Sequence, residues 1–323
     1  MKIETIRLNK IGAGWRLATQ IVFLGFFATP ICATAQTEPH SGHTVWRGWI
    51  FDWEVKDSAG LSIRNVRYQN EQVIYKASMP VIRVRYDGNA CGPYADRIDW
   101  LNLLNISNCG NKKICQRGYT DSSGRNWCEL GLLAGIGAYR LYQVYYFSDD
   151  GYLQLRLWSR GLQCNADHDH HIYWRIDFDI GDALKDQVFV YDNNRPNIGW
   201  GAGWLKYTTE LNDLKESATS RRWFVRDNAT GHGCWILPGP DGSTDIFSTK
   251  DVAHRLYHGF SEDAPWPFGA GSFNGVGGHL GYDNGEDIQE KDVVFWYVAH
   301  LRHLAAQGQN QWHSVGPLIK VQR

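Results

Sequence analysis

His168 and His170 are one residue apart in the segment Asp167-His168-Asp169-His170-His171-Ile172-Tyr173-Trp174-Arg175-Ile176-Asp177-Phe178-Asp179-Ile180, which alternates as a strand from His170 onward. Side chains on a strand repeat every second residue. Both imidazoles therefore head one face, continued by Ile172, Trp174, Ile176, Phe178 and Ile180. Residues so spaced stand about 6–7 Å apart, close enough to reach one metal ion. A solvated loop before a strand is the plain alternative for the first five residues. A third imidazole downstream, His303, favours the metal reading. The opposite face carries Asp169, His171, Tyr173, Arg175, Asp177 and Asp179, so Asp177 and Asp179 share a side.

The elements that must position these groups read as strands. Trp46 to Val55 forms a first strand, preceded by a loose polar stretch, and 61–68 and 81–86 alternate cleanly. A loop rich in Gly, Asn and Cys covers 87–128. Gly131 to Phe147 reads as one buried strand or two joined ones, and Asp149-Asp150-Gly151 turns the chain into a strand over 152–158. A short helix is expected around Glu210 to Ser217, a strand pair at 222–225 and 234–237, and a Gly-rich loop over 261–290. Asp292 opens a buried strand, 292–299, that ends near His303. With frequent Gly, 15 Trp and no long helical repeat, the fold class is all-β, a large antiparallel β-sandwich.

Four stretches resemble the catalytic β-sandwich domain of copper-containing amine oxidases, the enzymes that use topaquinone. They are the strand pair at 60–68 and 73–78; His168-x-His170 with Arg175-Ile176-Asp177-Phe178-Asp179; Arg222-Trp223 with Cys234-Trp235-Ile236-Leu237-Pro238-Gly239; and Asp292-Val293-Val294-Phe295-Trp296-Tyr297 with His303. The second and fourth match in internal spacing and are the specific ones. The resemblance implies copper on His168, His170 and His303. Three neutral imidazoles suit Cu(II) and leave positions open for water and dioxygen. It implies a hard cation such as calcium on Asp177, Asp179 and Asp292, for which oxygen ligands are apt. It places the quinone precursor at Tyr139, in Gly135-Ile136-Gly137-Ala138-Tyr139-Arg140, where the family carries Thr/Ser-x-x-Asn-Tyr-Asp/Glu. It places the general base at Asp99, with Asp96 second. The activity it implies is oxidative deamination of a primary amine to an aldehyde by dioxygen, releasing hydrogen peroxide and ammonia, in a homodimer.

The other readings are a catalytically inactive secreted relative that keeps copper or a ligand, a carbohydrate-binding module suggested by the many aromatic side chains, and a zinc hydrolase. Residues 1–35 read as a signal peptide. Lys2, Arg7, Lys10 and Arg16 precede the apolar run 21–27, and Ala33-Thr34-Ala35 is a small-x-small cleavage site. The remaining 36–323 reads as one domain, secreted or periplasmic. Beyond Cys32 there are six cysteines, Cys91, Cys109, Cys115, Cys128, Cys164 and Cys234, an even number that suggests disulfides, at least one of them local to 109–128. No Cys-x-x-Cys pair exists, which speaks against a thiolate zinc cluster. The net charge of −1 points away from nucleic acid and acidic membranes as partners.

Overall fold

A computed structural model describes residues 38–57, 59–197, 199–239, 251–258 and 284–323. The leader and most of the Gly-rich loop fall outside the described residues. The chain opens as a meander of β1 (Ser41–Trp46), β2 (Trp49–Lys56), β3 (Gly60–Tyr68) and β4 (Glu71–Tyr86), and β5 (Tyr94–Asp96) folds back along the end of β4. A second meander follows: β6 (Leu103–Leu104), β7 (Ile114–Thr120), β8 (Asn126–Ile136), β9 (Tyr139–Ser148) and β10 (Tyr152–Arg160). Then come β11 (His168–Phe178), β12 (Asp186–Tyr191), β13 (Trp204–Tyr207), β14 (Leu211–Asp213), β15 (Arg222–Asp227) and β16 (Gly233–Leu237). The last are β17 (Val252–Leu256), β18 (Val293–His303), β19 (His313–Val315) and β20 (Leu318–Gln322).

These strands form two antiparallel sheets. The first has nine strands in the order β1-β2-β3-β4-β11-β18-β17-β14, with β5 on β4. The second has eleven, β13-β12-β15-β16-β20-β10-β9-β8-β6, with β19 on β10 and β7 on β8. The all-β expectation holds, and no α-helix occurs among the described residues. The sheets meet through alternate residues of their inner faces. From β11 come Ile172, Trp174, Ile176 and Phe178; from β9 come Leu141, Tyr145 and Phe147; from β10 come Leu153, Leu155 and Leu157. Trp174 lies edge-on to Tyr145, with ring centroids 5.8 Å apart. We predict that Trp174→Ala costs about 3–5 kcal/mol, read from urea unfolding, because a cavity of indole size opens between layers that cannot collapse onto each other.

Several local expectations change. The stretch before Trp46 is not loose: it pairs with β2 around a turn at Arg47-Gly48. Gly131 to Phe147 is two strands, broken by the turn at Gly137-Ala138. The helix expected around Glu210 to Ser217 is instead strand β14, paired with β17, followed by a 3-10 turn at Ser217–Thr219. Pairing with a strand distant in sequence outweighs local propensity there. Two disulfides form, Cys91–Cys164 and the local Cys109–Cys115, while Cys128 and Cys234 are buried thiols.

The outer face of β11 and β18 is not solvated as its polar residues suggested. Val81, Tyr173, Val294, Trp296 and Val298 form a second small core there. Within it His171 Nδ1 meets His300 Nδ1 at 2.7 Å, and His300 Nε2 meets Asp251 at 2.7 Å.

Candidate metal centre and its surroundings

β11 lies between β4 and β18, and its register sets the site. His168 is opposite Tyr86 of β4 on one side and His303 of β18 on the other. One row across three strands thus presents Tyr86, His168 and His303 to the inner face. His170 stands one pleat further along that face. The rings of His168 and His170, and those of His168 and His303, are each 5.0 Å apart between centroids. His168, His170 and His303 are all buried. Burial holds His168 below the ordinary histidine range and His170 well below it, with the neighbouring imidazoles adding to the effect. Both are therefore neutral at physiological pH.

The opposite sheet supplies Tyr139. It is the first residue of β9, directly after the two-residue turn at Gly137-Ala138, where Gly137 has φ +53°. A Cβ on Gly161 would lie 2.4 Å from the Ala138 carbonyl oxygen and 2.8 Å from the Tyr139 Cα, so only glycine lets β10 pass this close. The Tyr139 hydroxyl lies 3.1 Å from His168 Nε2 and is hydrogen-bonded to the Tyr86 hydroxyl. Its ring stands edge-on to His170, centroids 4.9 Å apart. Burial pushes the Tyr139 hydroxyl up, and the charge of Asp96 adds to the shift.

The three imidazoles differ in what they already bind. His168 Nδ1 is 3.0 Å from the Ala166 carbonyl, which leaves Nε2 toward Tyr139. His303 Nε2 is 3.0 Å from the Gly308 carbonyl. Both nitrogens of His170 are buried without a partner. A buried imidazole with no hydrogen bond costs about 1–3 kcal/mol unless something else engages it, which is the chemistry of a metal ligand. As the rings stand, the three ligand nitrogens do not all lie within 4.8 Å of one another; among the described residues that spacing is met at Glu210, His258 and Glu286. There, however, the groups are held within the protein: His258 pairs with Glu286 at 2.7 Å, and Glu210 accepts from Leu256 N at 2.9 Å. His313, which the sequence did not single out, lies beside His303 with ring centroids 4.7 Å apart and planes tilted by 42°.

The carboxylates divide. Asp99 caps a 3-10 turn and lies 3.4 Å from Arg97. Asp96, at the end of β5, is the carboxylate whose charge bears on both Tyr86 and Tyr139, and burial raises it to about 6. The pairing of β5 with β4 turns Asp96 toward the row that contains Tyr86.

At the far end of β11, Asp177 is buried and ion-paired with Arg175 at 3.1 Å. The charges of Asp179 and Asp292 instead bear on Asp186, a residue with no signal in the sequence. Asp186 is fully buried, and neither carboxylate oxygen has a partner. Burial, followed by the charge of Asp179, raises it to about 9. A carboxyl raised this far favours the folded state below its unfolded value near 3.8 and loses that contribution as pH climbs through about 9. In EDTA, thermal stability is expected to fall between pH 5 and pH 9 (both about), and Asp186→Asn to flatten that slope. Melting curves across this range check it.

No protein-family model matches the sequence, and no curated protein matches it significantly. Solved structures do match. The copper-containing benzylamine oxidase of Hansenula polymorpha superposes with a TM-score of 0.69 at 12% identity, covering 88% of this chain and 61% of its own. The Aspergillus nidulans amine oxidase gives 0.69 at 15%, covering 91% and 55%. The Pichia pastoris lysyl oxidase gives 0.70 at 12%, covering 91% and 56%. The chain thus spans just over half to about three-fifths of the length of these neighbours. At such identities the likeness establishes the fold, and the two sheets described above form an amine-oxidase-like β-sandwich.

Proposed function

We propose that this protein is a copper-dependent primary amine oxidase that deaminates a small primary amine to an aldehyde, using dioxygen and releasing hydrogen peroxide and ammonia. The observation that carries the reading is the Tyr139 hydroxyl seated 3.1 Å from His168 Nε2, beside a buried His170 whose two nitrogens have no partner. His168, His170 and His303 would hold copper, and Tyr139 would be the precursor of topaquinone. When present, that pair supplies a carbonyl electron sink and its reoxidation by dioxygen. The surrounding residues have roles of their own. Tyr86 fixes the Tyr139 ring by its hydroxyl contact. Asp96 takes the base role first given to Asp99. Raised to about 6, it is mostly ionised at neutral pH yet basic enough to accept a proton. A hard cation such as calcium would sit among Asp179, Asp186 and Asp292, with Asp177 held aside by Arg175. The two disulfides fit a secreted or periplasmic protein, and the family resemblance adds a homodimer, which sedimentation tests.

One observation favours a second reading, a copper-binding relative without turnover. Ala138 and Arg140 flank Tyr139 where the resembling enzymes carry Asn and an acidic residue, and Arg140 Nη1 is committed to the Tyr139 carbonyl at 2.9 Å. The deciding experiment is the visible spectrum of the copper-loaded protein in air, before and after phenylhydrazine. A broad band that converts to an intense hydrazone establishes the oxidase. Bound copper without that band establishes the inactive relative.

A further inference from the structure

The outward face of the eleven-stranded sheet, turned away from Tyr139, has a chemistry unrelated to amine oxidation. Pairing register runs a single row across six strands: Lys206 of β13, Phe189 of β12, Phe224 of β15, Trp235 of β16, Lys320 of β20 and Tyr152 of β10. At ~4.8 Å per strand this row is about 24 Å long. The outward positions of these six strands include Arg156, Arg160, Lys206, Arg222, Arg226 and Lys320 and not one Asp or Glu, in a chain whose net charge is −1.

The cations lie over rings. The Arg222 guanidinium is 4.6 Å from the Tyr191 ring centroid and 5.1 Å from that of Trp235, and Arg226 is 4.8 Å from Phe189. Lys320 is 4.1 Å from Tyr152, and Arg160 is 4.8 Å from Trp312. Two clefts open on this side of the sheet. One of about 280 Å³ lies over the row itself, where Phe189, Phe224 and Trp235 meet Trp200 and Trp204; the other, of about 530 Å³, lies further along β10 between Tyr146, Trp158 and Trp312, its one carboxylate, Glu129, held by Arg117 at 2.8 Å. A guanidinium over an aromatic ring can still donate to a carboxylate, although Arg226 already donates its Nε and Nη2 to Gln187 at 3.3 and 3.2 Å, and an indole or phenol face takes the C–H side of a pyranose ring.

We propose that this face binds an acidic polysaccharide, a chain of pyranose rings bearing carboxylates. Charge complementarity favours a polyanion, and a row about 24 Å long, with an aromatic cleft over it and another further along β10, favours an extended one. The two disulfides fit an oxidising compartment, where glycans rather than nucleic acids are the available polyanions. The inference does not rest on the amine-oxidase reading, since no copper or quinone residue lies on this face.

The test is affinity electrophoresis of the full-length protein at low salt through gels containing polygalacturonate, fully methyl-esterified polygalacturonate, or neither, with oligo-dT in parallel. Polygalacturonate is expected to retard the protein, added salt to release it, and the esterified polymer to retard it far less. Arg222→Glu with Arg226→Glu should weaken binding at least about tenfold. Should that variant not fold, Lys206→Glu with Arg160→Glu serves instead. Equal retardation by the esterified polymer overturns the proposal, as does tighter binding of oligo-dT, which would make this a nucleic-acid face. No retardation by any polymer overturns it too.

Discussion

Tyr139→Phe is expected to abolish the phenylhydrazine-reactive chromophore and all amine turnover while copper uptake stays within about threefold of the parent protein. The phenolic oxygen is the only atom removed. It contacts His168 and Tyr86, and it is not among the three imidazoles proposed to hold the metal. Losing those two buried contacts costs about 1–3 kcal/mol, a penalty that leaves a sandwich of this size folded. Copper content by elemental analysis and the visible spectrum after phenylhydrazine are the two readouts. A chromophore that survives the substitution places the cofactor elsewhere. Loss of copper together with the chromophore would mean that Tyr139 shapes the metal site and is not the quinone precursor.

His170→Leu separates a ligand from a structural histidine. If His170 were a core residue satisfied by its neighbours, leucine would destabilise the protein and leave metal binding alone. The opposite is expected. Both ring nitrogens are buried without a partner, and burial keeps the ring neutral. An apolar side chain of similar size removes an unsatisfied polar group worth about 1–3 kcal/mol. The metal-free variant should therefore melt at or above the temperature of the metal-free parent. Copper affinity should fall by at least about 100-fold, the upper end of what losing even an outer-shell partner costs. Calorimetry of the metal-free proteins and a competitive copper titration read the two effects independently. A lower melting temperature with unchanged affinity would remove His170 from the metal site.

Period-two alternation made part of this site legible. It put His168 and His170 on the face that carries Ile172, Trp174 and Ile176, and the structure keeps all of them inside. What alternation could not supply was partnership. His303 is opposite His168 only because β18 returns beside β11, and nothing in the local sequence encodes that register. Asp96 and Asp99 look alike in a loop; the fold-back of β5 onto β4 distinguishes them. Asp186 carries no signal in the sequence, and its fully buried position is a tertiary property. Alternation puts Asp177 and Arg175 on one face, and it is the burial of that face that pairs them. The basic aromatic face was hidden in the same way. Its cations come from four strands, β10, β13, β15 and β20, scattered between Tyr152 and Gln322, and the overall charge averages them away.

The row Tyr86–His168–His303 has a bearing on how this architecture tolerates change in length. All three residues are fixed by ladder pairing with their neighbours in β4, β11 and β18. None is placed by the loops that join those strands. Insertions and deletions in the connections leave the row intact, whereas a single residue added within β11 would reverse the sides of every imidazole beyond it. Segments outside these three strands can thus vary while the row persists, provided the strands keep their count. For design, this means that the connections are the place to graft new surface and that the interiors of these strands must not change in length.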